Sequence, residues 1–454
     1  MNRPNILLLT IDTLRTDLLG CYGSDEGLTP EIDRFAAGSI QFNQAITGGS
    51  WTQAAFPVML TSTYASMYGG CLGPLSPARP SPIQSLADCG YNTIGLSTSP
   101  LLSRRYGYDR GFDTFLDLLP DESDPALRRI KGGESLLRRP ITHSVSRLFG
   151  IPSRPARTYV SGEDVVDQID RALAETSQPF FLWAHFMDTH WPYHIEETIQ
   201  EPDRTAEAWK DLVRMHRINR KGYPLTPETR AHFLDLYKSA LRYTSRLIGK
   251  LRSIVTEKGL EENTVIVLIS DHGEEFKERN YWGHFEVNLF DEIVRVPWII
   301  HIPGLGKGRM IDKQVQALDL MPTVLEMCGC PPVERLEGSS LTAFWNGVHE
   351  TTAEREAISE MWRSNRHMVA VRTSGYKFIW DSAHPDLPQL YDLLADPGEL
   401  RDISPGRPEL VAHYQAIVED HRKRQTSQGI AEESQTPEAD QDVLRRLRDL
   451  GYLD

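Results

Sequence analysis

Apolar residues along this chain gather in short unbroken runs rather than in alternating ones. "NILLLTI" (5–11), "NTIGLST" (92–98), "FFLWAHF" (180–186), "TVIVLIS" (264–270) and "VPWIIHI" (296–302) stand out. Each is rich in β-branched and aromatic residues, which predicts parallel strands covered on both faces. Between them the period changes. "EDVVDQIDRALAET" (163–176) places Val166, Ile169 and Leu173 on one stripe, and residues 228–255 repeat apolar positions at helical spacing. Strands alternating with helices predict an α/β fold, a doubly wound and mostly parallel sheet flanked by helices. Near the C-terminus, "HMVAVRTSGYKFIW" (367–380) reads as two strands around a Ser-Gly turn.

Polar residues at the strand ends add chemistry to this pattern. Asp12 follows the first run, Asp188 and His190 the third, and Asp271 and His272 the fourth. In open α/β sheets, sites form beyond the carboxyl ends of strands, so these residues are expected to meet. Any one of them alone fits a turn or a helix cap. The stretch "GGSWTQAAFPVMLTS" (48–62) raises a similar choice at Thr52. At a helix start its hydroxyl would lie beside free backbone N–H groups, a setting that favours an anionic substrate. The same position suits a plain threonine N-cap, and Pro57 fits a helix only in its first turn. Asp12, Asp271 and His272 make an oxygen-rich ligand set, suited to one hard divalent cation such as Ca²⁺, Mg²⁺ or Mn²⁺. A hydroxyl on such an ion becomes a usable nucleophile.

Composition narrows the classes. The 454 residues carry a net charge of −14, which argues against a general nucleic-acid binder. Five cysteines form neither a disulfide framework nor a zinc motif. The opening "MNRPNILLLTID" reaches a strand at once, with no leader pattern and no run long enough to span a bilayer. A cytoplasmic protein with no membrane partner is the expectation. Residues 120–160 are basic and punctuated by Gly and Pro. They fit either a solvated insertion or a lid over an anionic substrate.

At the strand-end residues the chain resembles the sulfatase family of the alkaline phosphatase superfamily. The resemblance runs through "PNILLLTIDTLRTDLLGCYG" (4–23), "SWTQAAFPVMLTSTYASMYG" (50–69), "GYNTIGLSTSPLLSRRYGYDRGFDTF" (90–115) and "PFFLWAHFMDTHWPYH" (179–194). It continues in "VIVLISDHGEEF", "WGHFEVNLFDEIVRVPWIIHIPG", "ALDLMPTVLEMCGCPP" (317–332), "YDLLADPGELRDIS" (391–404) and "LRRLRDLGYLD" (444–454). It implies a catalytic domain over 1–335, a smaller antiparallel subdomain over 336–424, and a polar tail over 425–454 ending in a short helix. It implies that Asp12, Asp271 and His272 bind a metal with Thr52, that Thr52 stands at the nucleophile position, and that His190 and His284 contact the anion or the leaving group of a small ester. His190 would be suited to protonate the leaving oxygen.

The departures are as specific. Sulfatases form formylglycine from Cys or Ser within a Cys/Ser-x-Pro-x-Arg motif, whereas this chain reads Thr52-Gln53-Ala54-Ala55-Phe56. No formylglycine is expected, and both the Pro and the Arg are missing. The opening turn reads Asp12-Thr13 where two adjacent Asp are usual, so one carboxylate is absent. The resulting expectation is a metal-dependent hydrolase of sulfate or phosphate esters, with phosphorus esters favoured. Its rivals are a two-metal phosphodiesterase that recruits Asp188, His190 or His194, and a non-catalytic binding protein that keeps the fold.

Overall fold

Alternation along the first strand sorts the core into two layers. β1 (Asn5–Ile11) sends Leu7, Leu9 and Ile11 into one buried cluster and Ile6 and Leu8 into another. Both faces are dry, which is why the run is apolar instead of alternating. The computed structural model describes residues 3–119, 159–193, 211, 214, 218, 225–279, 282–284, 288–306, 308–346, 355–363 and 366–428. The basic insertion, apart from its last two residues, lies outside them, as do His194 and the tail from 429 onward.

After β1 the strands are β2 (Ile40–Ile46), β3 (Asn92–Ser97), β4 (Thr114–Asp117), β5 (Phe180–Phe186), β6 (Thr264–Ser270), the two-residue pair β7 (Glu275–Phe276) and β8 (Trp282–Gly283), β9 (Arg295–His301) and β10 (Arg309–Gln316). Eight of them form one sheet in the order β10-β2-β9-β6-β1-β5-β3-β4. The helices are α1 (Pro30–Ala37), α2 (Thr52–Thr61), α3 (Pro82–Asp88), α4 (Gly162–Glu175), α5 (Pro227–Glu257) and α6 (Leu320–Met327). Residues of α1, α4 and α5 cover the Leu7 face, and residues of α2, α3 and α6 cover the Ile6 face.

Two expectations change here. The run 296–302 belongs to a strand that is antiparallel to both its neighbours, β2 and β6, not parallel. A continuous apolar run records burial on both faces and says nothing of direction. Strands β2, β4 and β10 also carried no such run. β2 mixes Gln and Asn into its middle, β4 has four residues at an edge, and the edge strand β10 begins exposed.

A second, antiparallel sheet contains β11 (Ala357–Arg363), β12 (Arg366–Arg372), β13 (Tyr376–Asp381) and β14 (Gln389–Asp392). The Ser374-Gly375 turn joins β12 to β13, as the hairpin signal predicts. Tyr414 and Val418 of α7 (Pro408–Gln428) share a core with Val369, Val371 and Phe378 of this sheet. The sheet is stitched to the segment that leads into α2. The Glu360 N–H donates to the Gly48 carbonyl (2.9 Å), and the Ser359 hydroxyl donates to that of Thr47 (2.6 Å). Among the described residues no helix is long and apolar enough to cross a membrane.

Candidate active site

β1, β5 and β6 run parallel, and two antiparallel pairings bring β2 back to the same direction, so the four strands end on one edge. Asp12 is the first residue past β1 and is fully buried. The turn then takes Thr13 into left-handed backbone, φ 55°. Its hydroxyl donates to the Thr189 carbonyl (2.7 Å), and the Thr189 hydroxyl returns to the Asp12 carbonyl (2.5 Å). The residue that replaces the second Asp thus ties the β1 and β5 turns together.

Asp271 and His272 follow β6. Ser270 anchors them by accepting the Leu14 N–H (2.9 Å), with its own hydroxyl between the carbonyls of Ile11 (2.7 Å) and His272 (2.8 Å). Asp271 Oδ1 accepts the backbone N–H groups of His272 (2.8 Å) and Thr13 (3.3 Å). His272 Nδ1 donates to the Gly273 carbonyl (2.9 Å), which leaves the Nε2 lone pair for a ligand. Gly273 has no alternative: an added Cβ would lie 2.0 Å from the Glu292 carbonyl oxygen.

The three side chains converge. His272 Nε2 lies 3.4 Å from Asp271 Oδ2 and 3.8 Å from Asp12 Oδ1. One ligand atom from each fits within 4.8 Å of the others. Asp12 Oδ1, Asp271 Oδ2 and His272 Nε2 are buried without a hydrogen-bond partner among the described residues. The charges show the same need. Burial, and then the charge of Asp12, push the Asp271 carboxyl up to about 7. Burial opposes ionisation of Asp12 too, but His190, His185 and His272 outweigh it and hold that carboxyl below its usual range. Orphaned buried oxygens from two carboxylates, beside one imidazole nitrogen, fit a hard divalent cation.

Thr52 is the first residue inside α2, with Trp51 in the N-cap position. Its hydroxyl is directed at Asp12 Oδ2, 3.5 Å away, so it is not the cap of its own helix. Gly49 allows the close approach, because a Cβ there would sit 2.5 Å from the Ala54 carbonyl carbon. Pro57 lies beyond the first turn, contrary to expectation, in a helix buried along its whole length. Packing of that helix overrides the lost backbone bond.

His190 and His284 complete the group. Their ring centroids are 5.0 Å apart, and that of His272 lies 4.6 Å from His284. His190 Nδ1 donates to the Trp191 carbonyl (2.8 Å), and His284 Nδ1 lies 3.0 Å from Glu274 Oε1. Burial lowers His190 to about 4 against the pull of Asp12. All six residues expected at the site therefore share one buried corner. Asp188 is not in the three-residue ligand group; its Oδ1 accepts the Gly162 N–H (3.0 Å) at the start of α4.

Comparison with known proteins decides the family: the Sulfatase description matches residues 4–330. The chain belongs to the sulfatase family. This sulfatase-family member is accordingly an enzyme that hydrolyses ester bonds. A second description, "N-sulphoglucosamine sulphohydrolase, C-terminal", matches residues 279–425. Escherichia coli "Uncharacterized sulfatase YidJ" is 24% identical, over 89% of this chain and 83% of its own. The "Delta 4,5-hexuronate-2-O-sulfatase" of Bacteroides thetaiotaomicron is 22% identical, over 93% and 89%. Among solved structures, the phosphonate monoester hydrolase of Agrobacterium radiobacter superposes with a TM-score of 0.72 at 20% identity, over 93% of this chain and 96% of its own.

Sequence reasoning gave no contact to Phe56 and passed over two other residues. The Phe56 ring centroid lies 5.0 Å from that of His185 and 5.7 Å from that of Trp183. Glu274 is a buried carboxyl, raised to about 7 by burial, and it also accepts from the Tyr193 hydroxyl (2.9 Å). Its signal was a charge two residues past His272. His185 was hidden in "FFLWAHF", where a single imidazole inside an apolar run was the available clue.

Proposed function

We propose that this enzyme is a metal-dependent hydrolase of small anionic esters that uses Thr52 as nucleophile and prefers phosphorus esters to sulfate monoesters. The observation that carries this reading is the Thr52 hydroxyl at the head of α2, 3.5 Å from Asp12 Oδ2 and beside a buried, oxygen-rich ligand set. Asp12, Asp271, His272 and Thr52 would hold one Ca²⁺, Mg²⁺ or Mn²⁺. Bound there, the cation would polarise the ester and ease loss of the hydroxyl proton. The single ligand group found among the described residues, which leaves out Asp188, supports one cation rather than two.

Thr52 Oγ passes its proton toward Asp12 Oδ2 and forms a bond to phosphorus while the bond to the leaving oxygen breaks. The backbone N–H groups of the first turn of α2 face the anion and favour it. His284, held by Glu274, lies on the side of the pocket shared with His190. Burial, which lowers His190 to about 4, favours its neutral form. An arriving anion favours its protonated form, and it then gives that proton to the leaving oxygen. Water afterwards cleaves the ester on Thr52, releases the acid and restores the hydroxyl.

The preference follows from Thr52. A threonine does not become formylglycine in the usual way, and a sulfate ester on a plain hydroxyl is stable. Formylglycine releases sulfate by breaking its own C–O bond, an exit Thr52 lacks. The likeness to a phosphonate monoester hydrolase fits this preference. Five cysteines free of disulfides fit a cytoplasmic location. The test is a panel of aryl sulfates, phosphomonoesters, phosphodiesters and phosphonates with each of the three cations. Faster turnover of a phosphorus ester supports the reading, and faster turnover of aryl sulfate refutes it.

A further inference from the structure

Behind Asp12 lies a line of buried polar groups that the reaction above does not use. The Trp183 indole N–H donates to Thr10 Oγ1 (2.9 Å). Thr10 Oγ1 lies 3.0 Å from His185 Nδ1. His185 Nε2, at the other end of the ring, lies 3.4 Å from Asp12 Oδ2. His185 is fully buried on β5, and its Nε2 makes no regular hydrogen bond among the described residues. The imidazole is wedged against the Phe56 ring, edge to face at 85°.

Which nitrogen carries the proton follows from the neighbours. Thr10 Oγ1 already accepts from Trp183, so its own hydrogen is available to donate. His185 Nδ1 at 3.0 Å is a nearer acceptor than the Ala184 carbonyl at 3.4 Å. A hydroxyl has a second lone pair and so fits either tautomer; the Asp12 carboxylate oxygen 3.4 Å from Nε2 is what assigns the hydrogen to Nε2 and leaves Nδ1 to accept. The opposite tautomer would turn a lone pair toward a carboxylate oxygen in a dry interior, which is repulsive.

Resting on the metal-binding reading above, we propose that His185 is a positioning residue for Asp12. Its Nε2–H fixes Oδ2, on the side that also faces Thr52, and leaves Oδ1 to face His272. A site that holds two carboxylates and one imidazole depends heavily on the aim of each carboxylate. His185 stands outside the three-residue ligand group, so it acts through Asp12 and not as a ligand itself. Partners of this kind typically change metal affinity by about 10- to 100-fold.

The experiment uses the full chain, ¹⁵N-labelled at histidine, and titrates Ca²⁺ and Mg²⁺ into wild type, His185→Ala and His185→Gln. Ring-nitrogen NMR of the metal-free protein should show His185 protonated on Nε2, and saturating cation should leave that pattern in place. By calorimetry, His185→Ala should weaken cation binding about 10- to 100-fold. His185→Gln, whose amide can still donate to Asp12, should recover most of it. An Nδ1-protonated ring, a ligated Nε2 signal on adding cation, or equal affinity in wild type and His185→Ala would overturn the proposal. Should His185→Ala fail to fold, the glutamine variant and the wild-type spectrum still decide. A wild-type protein that binds neither cation would refute the metal reading itself, and the tautomer would still report whether His185 donates to Asp12.

Discussion

Lys377 Nζ lies 2.5 Å from Asp291 Oδ1 and 2.7 Å from Glu399 Oε1, with no part of the lysine side chain exposed. Asp291 opens a short helical turn just after His284, while Lys377 belongs to the C-terminal sheet. Arg372 reinforces the contact with two bonds to Asp291 (3.1 and 2.9 Å). The second sheet thereby holds the chain that follows a site histidine. Lys377→Met should cost about 3 kcal/mol, the low end for breaking a buried pair, because Arg372 and Arg279 still face the two carboxylates. Denaturant unfolding measures this, and a loss below about 1 kcal/mol would mean the pair is not a fastening.

Glu360 offers a pH-dependent counterpart. Burial would raise its carboxyl, but His421 and His367, with their hydrogen bonds, hold it well below its ordinary 4.5. Ser66 Oγ (2.7 Å) and His421 Nε2 (3.0 Å) both contact its Oε1. A carboxyl depressed on folding stabilises fully above its unfolded value and loses that contribution as pH falls through the folded one. The stability gap between wild type and Glu360→Gln should therefore be full above about pH 4.5 and shrink below it. Melting curves from pH 7 down to 3 measure the gap, and one that widens on acidification has the wrong sign.

The central strands and their carboxyl-end residues were legible because burial on both faces leaves an apolar signature and the site rule then applies. Edge strands β4 and β10 were not, since an edge needs no continuous apolar run. The direction of β9 was not, since direction leaves no mark on composition. His185 and Glu274 were missed for a related reason. A buried polar group is explained by its partner, and Thr10 and Asp12 for His185, like Tyr193 for Glu274, come from distant parts of the chain.

Asp271→Asn should retain the fold and release the cation. A neutral amide replaces a carboxylate whose Oδ1 is held by backbone N–H groups while Oδ2 faces the pocket. Loss of a direct ligand should exceed the effect of a supporting residue, so affinity should fall by more than about 100-fold. Metal content after dialysis gives the answer, and full retention would remove Asp271 from the site.

His190→Ala should damage poor substrates selectively. An acid matters only where the leaving oxygen needs a proton, and there it contributes about 10²- to 10⁴-fold. Alkyl esters should lose this factor, and nitrophenyl esters should lose little. A plot of rate against leaving-group acidity reads the difference. Equal losses along the series would reduce His190 to an anion contact.

Thr52 carries the sharpest expectation. Its hydroxyl faces Asp12 Oδ2 at 3.5 Å, where a bound ester would meet both the α2 N-terminus and the ligand set. Thr52→Ala should lower turnover on the order of 10⁴-fold or more, since it removes the attacking oxygen. Thr52→Ser keeps the oxygen and should retain measurable activity on phosphorus esters. With a slow phosphonate or phosphodiester and an acid quench, mass spectrometry should find the phosphoryl group on the peptide that contains Thr52. It should be absent from Thr52→Ala. Turnover that survives Thr52→Ala, with no modified peptide in wild type, would mean that water attacks directly and that Thr52 only orients Asp12.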